Sequence, residues 1–333
     1  NLQIFLITKI MFLITGGAGF IGFHLTKKLL KKGYKVHIVD NMNDFNYASK
    51  IKYDRLNILK NNPNSKLLSF SKIDILDKNK IQKLFNGVDT VIHLAAHVGI
   101  RKSTNYSEEY IKNNIVGFAN VMENCKKFKI NKCFYASSSS IYCNRSNNYL
   151  TKELDNSENS KNIYAFTKKS NELLAQTYSY LYGIKTLGFR FFSVYGNHGR
   201  PDMSYYKFTK SILNDDIILL SGTGNQTRDF THIDDVVNAI YKIIFTDIDI
   251  KDKVINLGSE RPITINNLIK IIEKKCNKKA KIKIDKLFKE ETEHTGSNSS
   301  IAKERYNITF NQNISNGIEE FINWYKKSQN EFI

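Results

Sequence analysis

A short apolar run, three glycines spaced three apart, and then apolar residues at helical spacing make up "MFLITGGAGFIGFHL", residues 11–25. Met11 to Thr15 has the length of a buried parallel strand, and Phe20, Ile21, His24 and Leu25 begin a helix that reaches Lys32 before Gly33 stops it. Gly16, Gly19 and Gly22 therefore fall in a strand-to-helix turn. Without side chains there, a ligand can approach the backbone N–H groups and the positive end of the helix dipole. A pyrophosphate matches that surface. A second strand-like run, "YKVHIVD", ends at Asp40, 24 residues beyond Gly16. A carboxylate in that place accepts hydrogen bonds from a ribose 2′-hydroxyl and repels a 2′-phosphate, which selects NAD over NADP.

Strand-like runs recur at 36–40, 67–73, 88–96, 132–138, 186–194 and 253–257, with amphipathic helical segments such as 106–129 and 162–182 between them. Strand alternating with helix produces a parallel sheet covered on both faces. From about residue 198 the rhythm breaks, and helical spacing at 204–214, 234–246, 264–276 and 315–326 mixes with short strands and polar loops. The expected fold is α/β: a Rossmann-type doubly wound parallel sheet over 11–197, with later strands near 230–257 returning to it, and a smaller mixed C-terminal substrate lobe over 198–330. The apolar opening, residues 1–10, lacks a basic n-region and a cleavage site and reads as a non-native extension ahead of Met11.

The chain holds 50 Lys plus Arg against 32 Asp plus Glu, a formal charge of +18. These cations are scattered rather than clustered with aromatics, so no nucleic-acid partner is expected; coding bias and attraction for an anionic substrate both remain as readings. Cys125, Cys133, Cys143 and Cys276 form no C-x-x-C pair and have no metal-type spacing with His, so no metal is expected, and they read as thiols of a reducing, cytoplasmic compartment. Past the opening there is no apolar run of membrane-spanning length, so no membrane partner is expected.

The chemistry is concentrated in two stretches. "FYASSSSIYC", residues 134–143, puts consecutive serine hydroxyls at the carboxyl end of a buried strand, where doubly wound folds bind ligands. "NIYAFTKKSNELLAQ" then sets Tyr164 and Lys168 four apart on one helical face. A phenol with a pKa of roughly 10 is a weak base at neutral pH, but a neighbouring ammonium and a nicotinamide cation both favour the phenolate. Tyr164 is then placed to take a proton from a sugar hydroxyl, with Ser138 shaping the proton path and Lys168 bonding the cofactor ribose.

With these residues the chain resembles the extended short-chain dehydrogenase/reductases, in the NAD-dependent sugar-nucleotide epimerase/dehydratase family, over nearly all of residues 11–327. The matching pieces are "TGGAGFIG", "DN" at 40–41, "DI" at 74–75, "HLAAHVGIR" at 93–101, "NNIVG" at 113–117, "SSSSIY", the Y-A-F-T-K stretch and "RDFTHIDD" at 228–235. The resemblance implies cofactor contacts from Gly16, Gly19, Phe20, Ile21, Gly22, Asp40, Asn41, Asn114, Tyr164 and Lys168. Asp74 and Ile75 would flank the adenine, Leu94, Ala95 and Ala96 would line the cofactor channel, and Arg228 would hold a nucleotide phosphate. It further implies a UDP-sugar substrate and a homodimer through the helices at 106–129 and 162–182.

Relatives that eliminate water carry Asp and Glu at the places of Ser139 and Ser140, and decarboxylating relatives carry Glu at the second of them. Serine at both leaves oxidation and re-reduction at one carbon, which is 4-epimerisation. The stretch "RFFSVYGNHGRPDMSYYKF", residues 190–208, is similar to one typical of epimerases acting on UDP-glucuronate, and the sugar carboxylate would be served by Ser138, Ser139, Ser140, Ser193 and Arg200. UDP-glucose or UDP-N-acetylglucosamine 4-epimerisation is the alternative, and a non-catalytic dinucleotide-binding protein a more distant one. Asn197, His198 and Cys143 depart from the family pattern, as does "KEETEHTGSNSS" near residue 290.

Overall fold

The computed structural model describes residues 10–142, 149–155, 157, 160–247, 253–286, 290 and 292–330. Residues 1–9 of the expected extension and Cys143 lie outside the described residues. Twelve strands follow in chain order among them: β1 (Met11–Thr15), β2 (Lys35–Asp40), β3 (Leu68–Lys72), β4 (Thr90–His93), β5 (Lys132–Ser138), β6 (Lys185–Phe191), β7 (Ser193–Tyr195), β8 (Ile217–Ser221), β9 (Thr227–His232), β10 (Val254–Leu257), β11 (Pro262–Thr264) and β12 (Lys281–Asp285).

The largest sheet has seven strands in the order β10-β6-β5-β4-β1-β2-β3. The pairs of β1 with β2 and β4, of β2 with β3, and of β4 with β5 are parallel. Reversal of strand order on either side of β1 is the doubly wound pattern, with its ligand crevice at the strand carboxyl ends. One face packs Leu13, Val91, Cys133 and Tyr135 against Phe118, Val121, Met122 and Cys125 of the helix Gly117–Lys127. The chain also forms a three-stranded mixed sheet, β11-β9-β7, and a parallel pair, β12-β8. There Ile218, Leu220 and Phe230 share a core with Leu268, Ile269 and Ile272 of the helix Ile265–Cys276 and with Phe321 and Ile322 of the helix Ile314–Asn330.

Two compact units result. Among the described residues the first takes 10–141, 157–190 and 240–255; the second takes 142–155, 191–239 and 256–330. The expected division, 11–197 with strands near 230–257 returning to it and 198–330 as the second lobe, is coarser than these segments. The expected strand 186–194 is two strands, because Val194 N–H turns back to the Phe192 carbonyl at 2.9 Å. β7 then joins β9 in the small sheet, so of the strands expected near 230–257 to return to the large sheet only β10 does. The expected strand 88–96 is confined to Thr90–His93. The expected helix 106–129 is interrupted by a π-helical turn, Ile111–Val116, whose Asn114 is fastened to the loop after β4. No helix among the described residues is long and apolar enough to cross a membrane.

Candidate active site

The glycine turn follows β1. Gly16 has φ +70°, and a Cβ there would lie 2.6 Å from the Ala95 nitrogen; one on Gly22 would lie 2.4 Å from the Gly16 carbonyl oxygen. Both positions thus exclude any side chain, the first through strain as well as space. Gly16 N–H donates to the Val39 carbonyl at 2.7 Å and Leu94 N–H to that of Thr15 at 2.9 Å, so the ends of β1, β2 and β4 are tied together. Leu94 and Ala95, which continue from β4, thereby lie against Gly16, whose Cβ would meet the Leu94 carbonyl carbon at 2.8 Å. The helix Phe20–Lys31 starts after Gly19 with no side chain capping it. Its first-turn N–H groups therefore lack the usual internal acceptor and suit an anion. Phe20 is buried and Ile21 half-buried in that turn.

At the end of β2, Asp40 Oδ1 accepts from the Met42 N–H at 2.9 Å and from Lys52 Nζ at 3.2 Å. Asn41 donates its side-chain amide to Asp74 Oδ2 at 2.8 Å, linking the ends of β2 and β3. Ile75 is buried and packs against Gly117, where a Cβ would come within 2.4 Å of its Cδ1. Glycine turn, acidic second-strand end and this apolar shelf fit a dinucleotide. The helix Ser49–Lys60 behind them escaped sequence reasoning. Its Lys52 and Arg55 are buried, and Arg55 Nη1 donates to the Ala18 carbonyl inside the glycine turn at 3.0 Å. Buried cations erase the apolar periodicity by which such a helix is read; basic residues three apart just beyond Asp40 were the available signal.

Ser138, Tyr164 and Lys168, the residues expected to handle the proton, lie in the same unit. Ser137 and Ser138 point to opposite faces of β5, as strand geometry requires. Ser137 donates to Glu172 Oε1 at 2.6 Å, whereas Ser138 Oγ accepts from the Ser140 N–H at 3.1 Å and lies 2.9 Å from Ser140 Oγ. Ser139 opens the 3₁₀ turn Ser139–Ile141. The helix Ile163–Tyr182 is capped by Asn162, whose side chain accepts from the Ala165 N–H, and it carries Tyr164 in its first turn. Lys168 Nζ lies 5.9 Å from the Tyr164 ring centre and donates to the Ala136 carbonyl at 2.9 Å. Asn114 accepts from the His97 N–H, and its amide donates to the His97 carbonyl and to Thr167 Oγ1. It thereby binds the loop after β4 to the Tyr164 helix. His93 lies between the strand ends, with Nδ1 2.8 Å from Thr15 Oγ1; burial, reinforced by Lys168, pulls its pKa down to about 3, so the imidazole stays neutral.

Burial also lowers the Lys168 ammonium to about 8. The cation expected to favour the Tyr164 phenolate is lost as pH rises through that value. We therefore expect kcat/KM of the free enzyme to fall above about pH 8. Lys168→Arg should move the fall to higher pH in whatever activity it retains. A pH profile flat to pH 10 would contradict a role for this ammonium.

Ser193, Arg200 and Arg228 belong to the second unit. Ser193 opens β7. Arg200 makes a forked ion pair with Asp202, with Nε donating at 3.0 Å. Arg228 Nη1 donates to the Thr227 and Glu293 carbonyls at 2.8 and 3.1 Å, which places Glu293 beside β9. Within "RDFTHIDD" the densest anchoring falls on Asp229, which sequence reasoning did not single out. Its carboxylate accepts from the backbone N–H and hydroxyl of both Ser259 and Ser297 and from the Glu260 N–H. His198 packs its ring 4.8 Å from that of Trp324. Cys125, Cys133 and Cys276 are free and buried. Among the described residues no cluster of His, Cys, Asp and Glu could hold a metal ion.

The model of the NAD dependent epimerase/dehydratase family matches residues 12–258. A UDP-glucuronate 4-epimerase of Thermodesulfobacterium geofontis is 39% identical over 320 residues, spanning 95% of this chain and 96% of its own. Protein CapI of Staphylococcus aureus is 39% identical over 333 residues, spanning 94% and 97%. The crystal structure of UDP-glucuronic acid 4-epimerase from Bacillus cereus in complex with UDP-glucuronic acid and NAD is similar with a TM-score of 0.90 at 31% identity, over 96% of this chain and 100% of that one.

Proposed function

Because the chain belongs to the NAD-dependent epimerase/dehydratase family, we propose that it interconverts UDP-glucuronate and UDP-galacturonate by 4-epimerisation. The observation that carries this reading is the end-to-end match with UDP-glucuronate 4-epimerases, by sequence and by fold. Local chemistry agrees with it, since Ser139 and Ser140 offer no carboxylate for elimination or decarboxylation.

Bound NAD supplies reversible two-electron exchange at C4. Tyr164 accepts the C4 hydroxyl proton and later returns it to the same oxygen. Ser138, whose oxygen already accepts from Ser140, directs its own proton toward the reacting oxygen. The Lys168 ammonium favours the phenolate and, held by the Ala136 carbonyl, cannot drift from the site. The 4-keto sugar then exposes its other face, so the cycle consumes no cofactor. In this reading Ser138, Ser139 and Ser140 are the first unit's substrate residues, and the second unit, with Ser193, Arg200 and Arg228, is the substrate lobe.

The direct test is incubation with UDP-glucuronate without added nicotinamide cofactor, followed by NMR of the anomeric protons. A stable mixture with UDP-galacturonate is expected. Unchanged UDP-glucuronate alongside turnover of UDP-glucose or UDP-N-acetylglucosamine would keep the epimerase and discard this sugar.

We extend the reading to a homodimer. Phe166, Leu173 and Tyr180 stand seven apart on the helix Ile163–Tyr182 and are exposed, Tyr180 at 89%; Ile111 and Val116 are exposed on the neighbouring helical stretch. Such a stripe favours burial against a second copy. Phe166→Asp with Leu173→Asp should halve the mass measured by light scattering; an unchanged mass would point to another interface.

A further inference from the structure

The helix Ser49–Lys60 turns two cations inward rather than toward solvent: Lys52 is 7% exposed and Arg55 1%. Lys52 Nζ reaches Asp40 Oδ1, the oxygen that also accepts from the Met42 N–H. Arg55 Nη1 reaches the Ala18 carbonyl in the glycine turn and the Tyr47 hydroxyl at 2.8 Å. The Tyr47 ring lies near both, 6.0 Å from Lys52 Nζ and 5.4 Å from Arg55 Cζ. One helix thus braces both polar ends of the dinucleotide turn. Asp40 Oδ2 accepts no hydrogen bond among the described residues, which leaves it for a ribose hydroxyl.

An acidic residue at the end of the second strand rejects a 2′-phosphate partly by charge. Here that charge is opposed in place by an ammonium 3.2 Å away and shielded from water, where Coulomb interactions are stronger than in solvent. We propose that Lys52 is a specificity-determining residue of the dinucleotide site: it orients Asp40 while offsetting its charge, which moderates the preference for NAD, and its ammonium becomes the partner of a 2′-phosphate once the Asp40 carboxylate is gone. This rests on the reading of the glycine turn as the NAD site.

The test equilibrates each purified protein with equal concentrations of NAD and NADP, removes free nucleotide, and measures the bound ratio after acid release. Wild type should hold mostly NAD. Asp40→Ser should shift the ratio toward NADP by about tenfold or more, and Lys52→Met added to it should reverse the shift. Lys52→Met alone, with Asp40 uncompensated, should move the ratio further toward NAD. Asp40→Asn, which keeps the side-chain shape, repeats the measurement if the serine variant melts early. A ratio unmoved in both Asp40 variants, or a shift that Lys52→Met does not reverse, overturns the proposal while the NAD reading stands. Wild-type protein that retains neither dinucleotide overturns that reading and the proposal with it.

Discussion

Phenylalanine at position 164 is expected to lower kcat by about 10²- to 10⁴-fold, the usual worth of a positioned general acid–base group. Bound NAD and melting temperature should stay as in wild type. The substitution removes one oxygen and leaves the ring, so the edge-on packing against Tyr110, at 6.3 Å between centres, survives. Lys168 keeps its bond to the Ala136 carbonyl, because that bond does not involve the phenol. Loss of turnover with retained cofactor would therefore report the proton step rather than a collapsed site. The measurement is the NMR rate with UDP-glucuronate beside the released nucleotide per chain. A rate close to wild type would move the proton acceptor to another group.

Tyr164, Lys168, the glycines and Asp40 were legible from sequence because each belongs to a short local pattern with one physical meaning. The spacing of Tyr164 and Lys168 is a property of a single helix, and the glycine turn announces itself by missing side chains. What could not be read depends on groups far apart in the chain. Lys52 is buried only because Asp40, twelve residues earlier, receives it, and Asp229 matters through Ser259 and Ser297. The strands of the second unit were faint for a related reason. β9 reads "TRDFTH", polar at every place but Phe230 yet largely buried, and its partners are supplied by tertiary contact rather than by apolar periodicity. The break at Phe192 was invisible because Phe189, Phe191 and Val194 carry apolar side chains on both sides of it.

A larger effect on stability is expected at the ion pair that holds Ser137, the neighbour of Ser138. Glu172 and Arg190 are buried, with Arg190 Nε and Nη2 each donating to the carboxylate at 2.8 Å. Ser137 donates to the same carboxylate, and Lys169 approaches it at 3.7 Å. Replacing Glu172 by Leu removes the carboxylate that pairs with the buried guanidinium and should cost about 3–5 kcal/mol in urea unfolding. Adding Arg190→Met removes the stranded charge and should restore most of that loss, since buried pairs add little beyond a packed apolar substitute. A double variant as weak as the single one would mean that the pair itself stabilises the sheet. Activity then separates two roles. Ser137 and Ser138 are adjacent on β5, so a carboxylate that holds Ser137 also fixes how Ser138 is presented on the opposite face. If the double variant regains stability but not kcat, with NAD content unchanged, the pair positions the serine. If both return, its contribution ends at folding.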